Sequence, residues 1–327
     1  MSNLETAPAE LTCENSGEAP TVRGRVLEPR MVPLGGPRAM TVRRTLPQRA
    51  QSLIGAWCFI DHYGPDEVSS TGGMRVDGHP HTGLQTVSWL FSGEIEHRDT
   101  VGSHAFVRPG ELNLMTAGSG IAHSEHSTQN TTVLHGAQLW VALPGQHRFV
   151  APDFESYAPP ALDLDGARVL VFLGSLLGHT SPVQTYTPLL GAEITLRAGQ
   201  SLRLDVAPEF EHGVLVDTGE VTAAGVDATE GQLVYQQTGA QHLDLVAADR
   251  DVRVLLLGGQ PLGEQIVMWW NFIGRSHEEV AAFRAQWQHE REHQDGDEKT
   301  QYGPFPGQWR ETLPAPELPN ARLKLRG

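Results

Sequence analysis

The sequence predicts an all-β fold of the sandwich or barrel type, on three observations. Short apolar or alternating runs recur along most of its 327 residues, glycine (35) and proline (22) punctuate them, and only one segment reads convincingly as a helix. Strands of this length bounded by frequent turn residues are what packed or closed antiparallel sheets look like in sequence. The runs include "QTVSWLFSG", "AQLWVALPG", "ARVLVFLGS", "EITLRAGQSLRLDV", "HGVLVDTGEV" and "DVRVLLLGG". The helix is expected over residues 275–291, "RSHEEVAAFRAQWQHER". Ser276 and Glu279 stand in capping-box spacing, and Val280, Phe283 and Trp287 form one apolar face, where Trp287 reads as a core residue.

In order along the chain, residues 1–24 read as a flexible leader and 25–150 as a first β-rich barrel. Residues 151–166, "APDFESYAPPALDLDG", are rich in Pro and Asp, lack periodicity and read as a linker. A second barrel is expected over 167–262, and the helix with a wrapping tail over 263–327. "FVRPGELNLM" and "TLRAGQSLRLDV" share a strand–turn–strand rhythm that hints at an internal duplication.

Bulk chemistry narrows the function classes. Lys plus Arg number 24 and Asp plus Glu 39, a net charge of −15. That balance opposes phosphate neutralisation, hence nonspecific nucleic-acid binding, and contact with anionic membranes. The two cysteines, Cys13 and Cys58, imply no disulfide framework, and Cys58 in "IGAWCFIDHYG" reads as a small buried hydrophobe. Residues 1–22 carry Glu5, Glu10, Glu14 and Glu18, with no Lys, Arg or apolar run, so no secretion signal is expected. No apolar stretch is long enough to span a bilayer, and a cytoplasmic location is the expectation.

Nine of the fifteen histidines fall between residues 62 and 147, so chemistry is sought there. In "DGHPHTGLQTVSWLFSG" (77–93), His79 and His81 lie two apart and face one side of a strand, together with Gln85, Val87, Trp89 and Phe91 if the strand is unbroken. Pro80 has no N–H to give, which suits a strand start or an edge. In "TAGSGIAHSEHS" (116–127), His123 and Glu125 repeat the spacing after a glycine turn. Three imidazoles and a carboxylate suit a first-row divalent metal, with Fe, Mn, Co, Ni, Cu and Zn all chemically compatible. His62, His97, His104, His126 and His135 read as surface or locally hydrogen-bonded residues, by parity or by nearness to turns. No nucleophile elbow, phosphate-binding loop or dinucleotide fingerprint occurs. The second barrel is expected to hold no metal. Its histidines, His179, His212 and His242, lack partners at ligand spacing apart from the lone pair of His242 and Asp244.

"HPHTGLQTVSWLFSGEIEHRDTVG", "RPGELNLMTAGSGIAHSE" and "LHGAQLWVALP", taken in this order, resemble the signature segments of the pirin family of cupins. "VRRTLPQRAQSLIGAWCFIDHYGP" upstream resembles that family too, and the closing "NFIGRSHEEVAAFRAQW" resembles its bacterial branch. The resemblance implies a bicupin: two face-to-face cupin β-barrels of jelly-roll type with a C-terminal α-helix. It implies that His79, His81, His123 and Glu125 ligate one metal, Fe(II), while the ligand chemistry itself leaves Ni, Mn, Co, Cu or Zn as alternatives. It also implies quercetin 2,3-dioxygenase-like activity on an aromatic small molecule with O2. For such chemistry Glu125 is the best candidate to accept the substrate hydroxyl proton, while Val87, Trp89 and Phe91 read first as ordinary barrel core, with a lining role as the alternative. One departure is Gln85, where many members carry Glu. The family also implies two alternatives: a redox-sensing regulator that binds a protein partner, and a bicupin enzyme acting on another small molecule.

Overall fold

The structure is a computed structural model that describes residues 23–34, 40–293, 300–307, 309 and 311–327. Cys13 and nearly all of the expected leader lie outside the described residues.

Two seven-stranded antiparallel sheets face one another. The first runs, in spatial order, Asp153–Tyr157, Leu112–Thr116, Leu84–Ser92, Val133–Ala142, Trp57–Glu67, Met40–Leu46 and Arg30–Leu34. The second runs Arg25–Leu27, Leu233–Gln236, Glu211–Thr218, Val252–Gly259, Leu189–Leu196, Ala167–Leu173 and Ala161–Leu164. Each is closed into a barrel by a four-stranded sheet. In the first barrel the order is Arg75–His81, Ile121–Ser127, Ile95–Asp99, His104–Val107; in the second it is Ser201–Asp205, His242–Ala247, Glu220–Ala223, Val226–Thr229. Strand for strand the two orders correspond, so the duplication hinted at by the turn rhythm is present in the topology.

The correspondence exposes an exchange. Arg25–Leu27 precedes the first barrel in sequence but pairs with Leu233–Gln236 of the second. Asp153–Tyr157 precedes the second barrel's own strands but pairs with Leu112–Thr116 of the first. The stretch read as a linker therefore holds two edge strands, Asp153–Tyr157 and Ala161–Leu164, one in each large sheet. Their periodicity is weak because an edge strand is covered incompletely: both are exposed or half-buried throughout.

Alternation along the central strands builds three cores. Side chains on one face fill each barrel; those on the other, including Trp57, Ile60, Val87, Trp89, Leu139, Phe172, Leu215 and Leu257, form a shared core between the barrels. Trp57 Nε1 donates across this boundary to the carbonyls of Leu190 (3.3 Å) and Gly258 (3.1 Å). Cys58 is fully buried, as its sequence context predicts. The helix spans His277–Glu292; Ser276 caps it by accepting from Glu279 N, and Val280, Phe283 and Trp287 are buried. The chain beyond it backs the strand that carries His79 and His81. Leu313 N donates to Gly78 O (2.8 Å), and the Tyr302 hydroxyl lies 2.8 Å from Thr82 Oγ1. Among the described residues no helix is long and apolar enough to cross a membrane.

Candidate metal centre

Strand pairing assembles the candidate residues. Ile121–Ser127 is flanked by Arg75–His81, the edge strand of its sheet, and by Ile95–Asp99. The edge position tolerates Pro80, which has no ladder donor to offer. His123 stands opposite His79, and a register shift then passes the pairing from His79 to Val76 opposite Glu125. On the other side, His123 faces Asp99 and Glu125 faces His97. All six of His79, His81, His97, Asp99, His123 and Glu125 are buried to within 3% of full occlusion, so their polar atoms must be satisfied by one another or by a bound group.

His81 Nε2 and His123 Nε2 lie 3.1 Å apart. The ring centroids of His79, His81 and His123 are separated by 4.3 to 5.1 Å, and their candidate ligand atoms lie within 4.8 Å of one another. His79 donates Nδ1–H to Asp77 O at 2.9 Å, which leaves its Nε2 a lone pair with no partner. Burial holds all three imidazoles well below the usual histidine range, and neighbouring histidines lower them further. They are therefore neutral, as metal ligands must be. A cluster of neutral rings with facing nitrogens and an unpartnered lone pair fits a divalent cation.

Glu125 joins the cluster through His123, with which, together with His97, it forms a second group of ligand atoms within 4.8 Å. Ser88 Oγ sits 2.7 Å from Gln138 Oε1 and 3.3 Å from Glu125 Oε1. Burial raises the Tyr63 hydroxyl well above its ordinary range, and the charges of Glu125 and Asp61 raise it further. Trp140 stacks on Phe59 at 4.1 Å and meets His81 edge-on at 5.2 Å, walling the centre with aromatic surface.

The strand does not run unbroken from the two histidines, and this moves the residues that an unbroken strand would place on their face. It ends at His81, and Leu84 begins a strand in the other sheet. Gly83 makes the break with φ +76°, and a Cβ there would lie 2.2 Å from Ile273 O. Beyond it the odd-numbered residues turn away from the centre. Val87 and Trp89 enter the inter-barrel core, where Trp89 stacks on Phe172 (4.5 Å) and donates Nε1–H to Glu193 Oε2 (2.7 Å). Phe91 packs beneath Arg253, and Gln85 donates to Thr116 Oγ1 (2.9 Å) and to Gln184 O (3.4 Å). Ser88, of opposite parity, is the residue that reaches Glu125.

Of the histidines read as peripheral, His104 and His126 are exposed or half-buried beside Glu96 and Asp77. His62, His97 and His135 are instead buried. His97 has the same i, i+2 signal as the other pairs, in "HRD", and bonds Asp99 Oδ2 through Nε2 at 3.0 Å. His62 and His135 converge on Asp217 of the second barrel, at 2.7 and 2.6 Å from its Oδ1, a grouping that no sequence spacing announces. Arg253 holds the other oxygen at 2.6 Å. Burial alone would raise Asp217, but His135 and His62 outweigh it and hold the carboxyl well below its usual range. The group is poorly suited to a metal. Arg43 Nε donates to His62 Nδ1 (3.2 Å), so His62 Nε2 carries the proton that goes to Asp217 and has no lone pair to give. It works as an inter-barrel latch. Among the described residues of the second barrel, His179 bonds Tyr157 (3.0 Å), His242 bonds Asp205 (3.0 Å), and neither ring nitrogen of His212 has a partner.

Comparison with known proteins agrees with this architecture. The pirin family matches over residues 39–141, and the family described as the pirin C-terminal cupin domain over residues 191–293. A Pseudomonas aeruginosa protein, PA1205, whose name assigns it provisionally to quercetin 2,3-dioxygenase, is 42% identical over 79% of this chain and 82% of its own. A Caulobacter vibrioides pirin-like protein is 34% identical over 75% of this chain and 87% of its own. A crystal structure titled quercetin 2,3-dioxygenase from Acinetobacter baumannii superposes with a TM-score of 0.85 at 35% identity, covering 93% of this chain and 98% of that one. The fold is shared further with Escherichia coli YhhW, solved in complex with nickel(II), at a TM-score of 0.57 and 20% identity, over 73% of this chain and 99% of that one. With both halves matched in order and a relative 42% identical along most of its length, the chain belongs to the pirin family of bicupins.

Proposed function

We propose that this bicupin is a metal-dependent dioxygenase that opens a flavonol such as quercetin, or a related enolisable aromatic, with His79, His81, His123 and Glu125 holding one divalent metal, Fe(II) first. The observation that carries the reading is the convergence of neutral, buried imidazole nitrogens, with His81 Nε2 and His123 Nε2 at 3.1 Å and His79 Nε2 unpartnered. A metal held there would supply Lewis-acid activation of an enol hydroxyl and the electronic partner that dioxygen needs. The chain's own part is positioning and proton handling. Glu125 is the carboxylate placed to accept the hydroxyl proton at an oxygen. Ser88 and Gln138 hold its surroundings through the 2.7 Å contact between them. Trp140, which meets His81 edge-on, gives the centre an apolar border from which water is excluded. The names carried by the Pseudomonas aeruginosa and Acinetobacter baumannii relatives support the same substrate class.

The near-complete burial of the four residues favours one competing reading, a metal that serves a protein-binding, redox-sensing regulator without an organic substrate. One experiment separates them. Protein purified without chelator is analysed for metal, loaded in turn with iron, nickel and manganese, and titrated anaerobically with flavonols before oxygen uptake is recorded. Stoichiometric metal, ligand-induced absorbance changes and flavonol-dependent oxygen uptake are the expected result. Tight metal with no flavonol effect for any metal would favour the regulator.

A further inference from the structure

We infer that Asp99 and His97 form a relay behind the centre that fixes the tautomer and orientation of His123, making both of them positioning residues for the metal. The inference rests on the metal-centre reading for its purpose, but its geometry stands independently. Asp99 Oδ1 accepts two backbone donors from the following turn, Val101 N at 3.1 Å and Ser103 N at 2.8 Å. That locks the carboxylate with Oδ2 aimed at His97 Nε2, 3.0 Å away. Asp99 is an acceptor here, so the proton of a neutral, buried His97 sits on Nε2 and leaves Nδ1 with a lone pair. His97 Nδ1 lies 3.4 Å from His123 Nδ1. Two lone pairs would repel, so the proton of His123 sits on Nδ1 and its Nε2 is stripped bare. That bare nitrogen is the one that meets His81 Nε2 at 3.1 Å.

Every step is held rigid. His97 stacks on Phe154 with centroids 4.5 Å apart and planes at 24°, and Phe154 belongs to Asp153–Tyr157, one of the two exchanged edge strands. The chain that leads into the second barrel thus clamps the imidazole that orients a candidate ligand in the first. Outer partners of this carboxylate–histidine kind fix ligand tautomers and raise ligand basicity, and their loss typically costs about 10–100-fold in metal affinity. Glu125 stands directly opposite His97 in the strand pairing, so the relay also borders the carboxylate.

The test uses Asp99→Asn and His97→Phe in the full chain. Asp99→Asn can keep an acceptor oxygen for the turn while presenting an amide donor to His97, which reverses the relay. His97→Phe keeps a ring on Phe154 but removes the acceptor for His123, and it serves if the first variant folds poorly. Nitrogen-labelled histidine NMR on the metal-free protein reads the His123 tautomer, and chelator competition with cobalt(II) reads affinity. Wild type should show His123 protonated at Nδ1. In both variants that preference should be lost and cobalt affinity should fall by about 10–100-fold. An unchanged His123 tautomer, or wild-type affinity in both variants, would overturn the relay. Failure of the wild type to bind metal would overturn the centre instead, and the NMR result would distinguish the two.

Discussion

At the scale of single residues, the centre depends on nitrogens that are neutral before any metal arrives. Burial does this, and it leaves each lone pair without water. His123 is the pivot: it belongs to both groups of converging ligand atoms, one with His79 and His81, the other with His97 and Glu125. His123→Ala should therefore lower metal affinity by more than the roughly 10–100-fold carried by outer partners. Competition with a coloured chelator checks this, and retention of wild-type affinity would refute the assignment. The two i, i+2 pairs were legible in sequence because residues two apart on one strand point the same way, which needs no knowledge of the neighbouring strands. His97 and Asp99 carry the same spacing, but a lone H-x-D gives no sign of which strand it faces. Asp217 gave no sign at all, because its partners lie in the other barrel.

At the scale of elements, one glycine decides which side chains see the centre. The alternation in "HTGLQTVSWLFSG" reads as one strand, and the all-β fold and helix were equally open to pattern reading. What pattern could not supply was the break at Gly83, a backbone conformation with positive φ that resets parity between the two sheets. Trp89 and Phe91 were placed with the histidines for that reason, while Ser88 was overlooked. The turn is tied down by Gly83 N donating to Gly118 O (2.9 Å), by Leu143 N donating to Gly83 O (3.1 Å), and by close approach to Ile273. Gly83→Ala should destabilise the fold by about 1–3 kcal/mol from backbone strain, with the Ile273 contact adding to it. It should also weaken metal binding, because His81 lies two residues away. Urea unfolding measures the first effect, and a variant as stable as wild type would show that the turn is not constrained as described.

At the scale of the whole molecule, each barrel lends the other an edge strand, and the Asp217 latch and the shared core join them. Such a body also concentrates buried histidines, with a consequence for its behaviour in acid. His212 lies inside the second barrel with neither nitrogen partnered, and burial pushes it down to about 4. Burial likewise lowers His62, His79, His81 and His123. An unfolded chain protonates its histidines near pH 6.5, whereas the folded one resists doing so. Below that pH the unfolded state binds more protons, so stability falls as pH falls. For His212 alone the loss builds between about pH 6.5 and 4 and reaches about 3 kcal/mol. Asp217 adds a further loss of the same sign at lower pH, since its depressed carboxyl stabilises the fold only while ionised. Glu193 and Glu211, raised by burial, act in the opposite sense, but the five lowered histidines outnumber them, so metal-free protein should melt at progressively lower temperature from pH 7 towards pH 4.5. His212→Leu should flatten part of that slope, because it removes one proton-binding difference and a buried polar ring without partners. Thermal scans of both proteins across this range decide the matter: parallel slopes would mean that His212 is not held neutral in the fold.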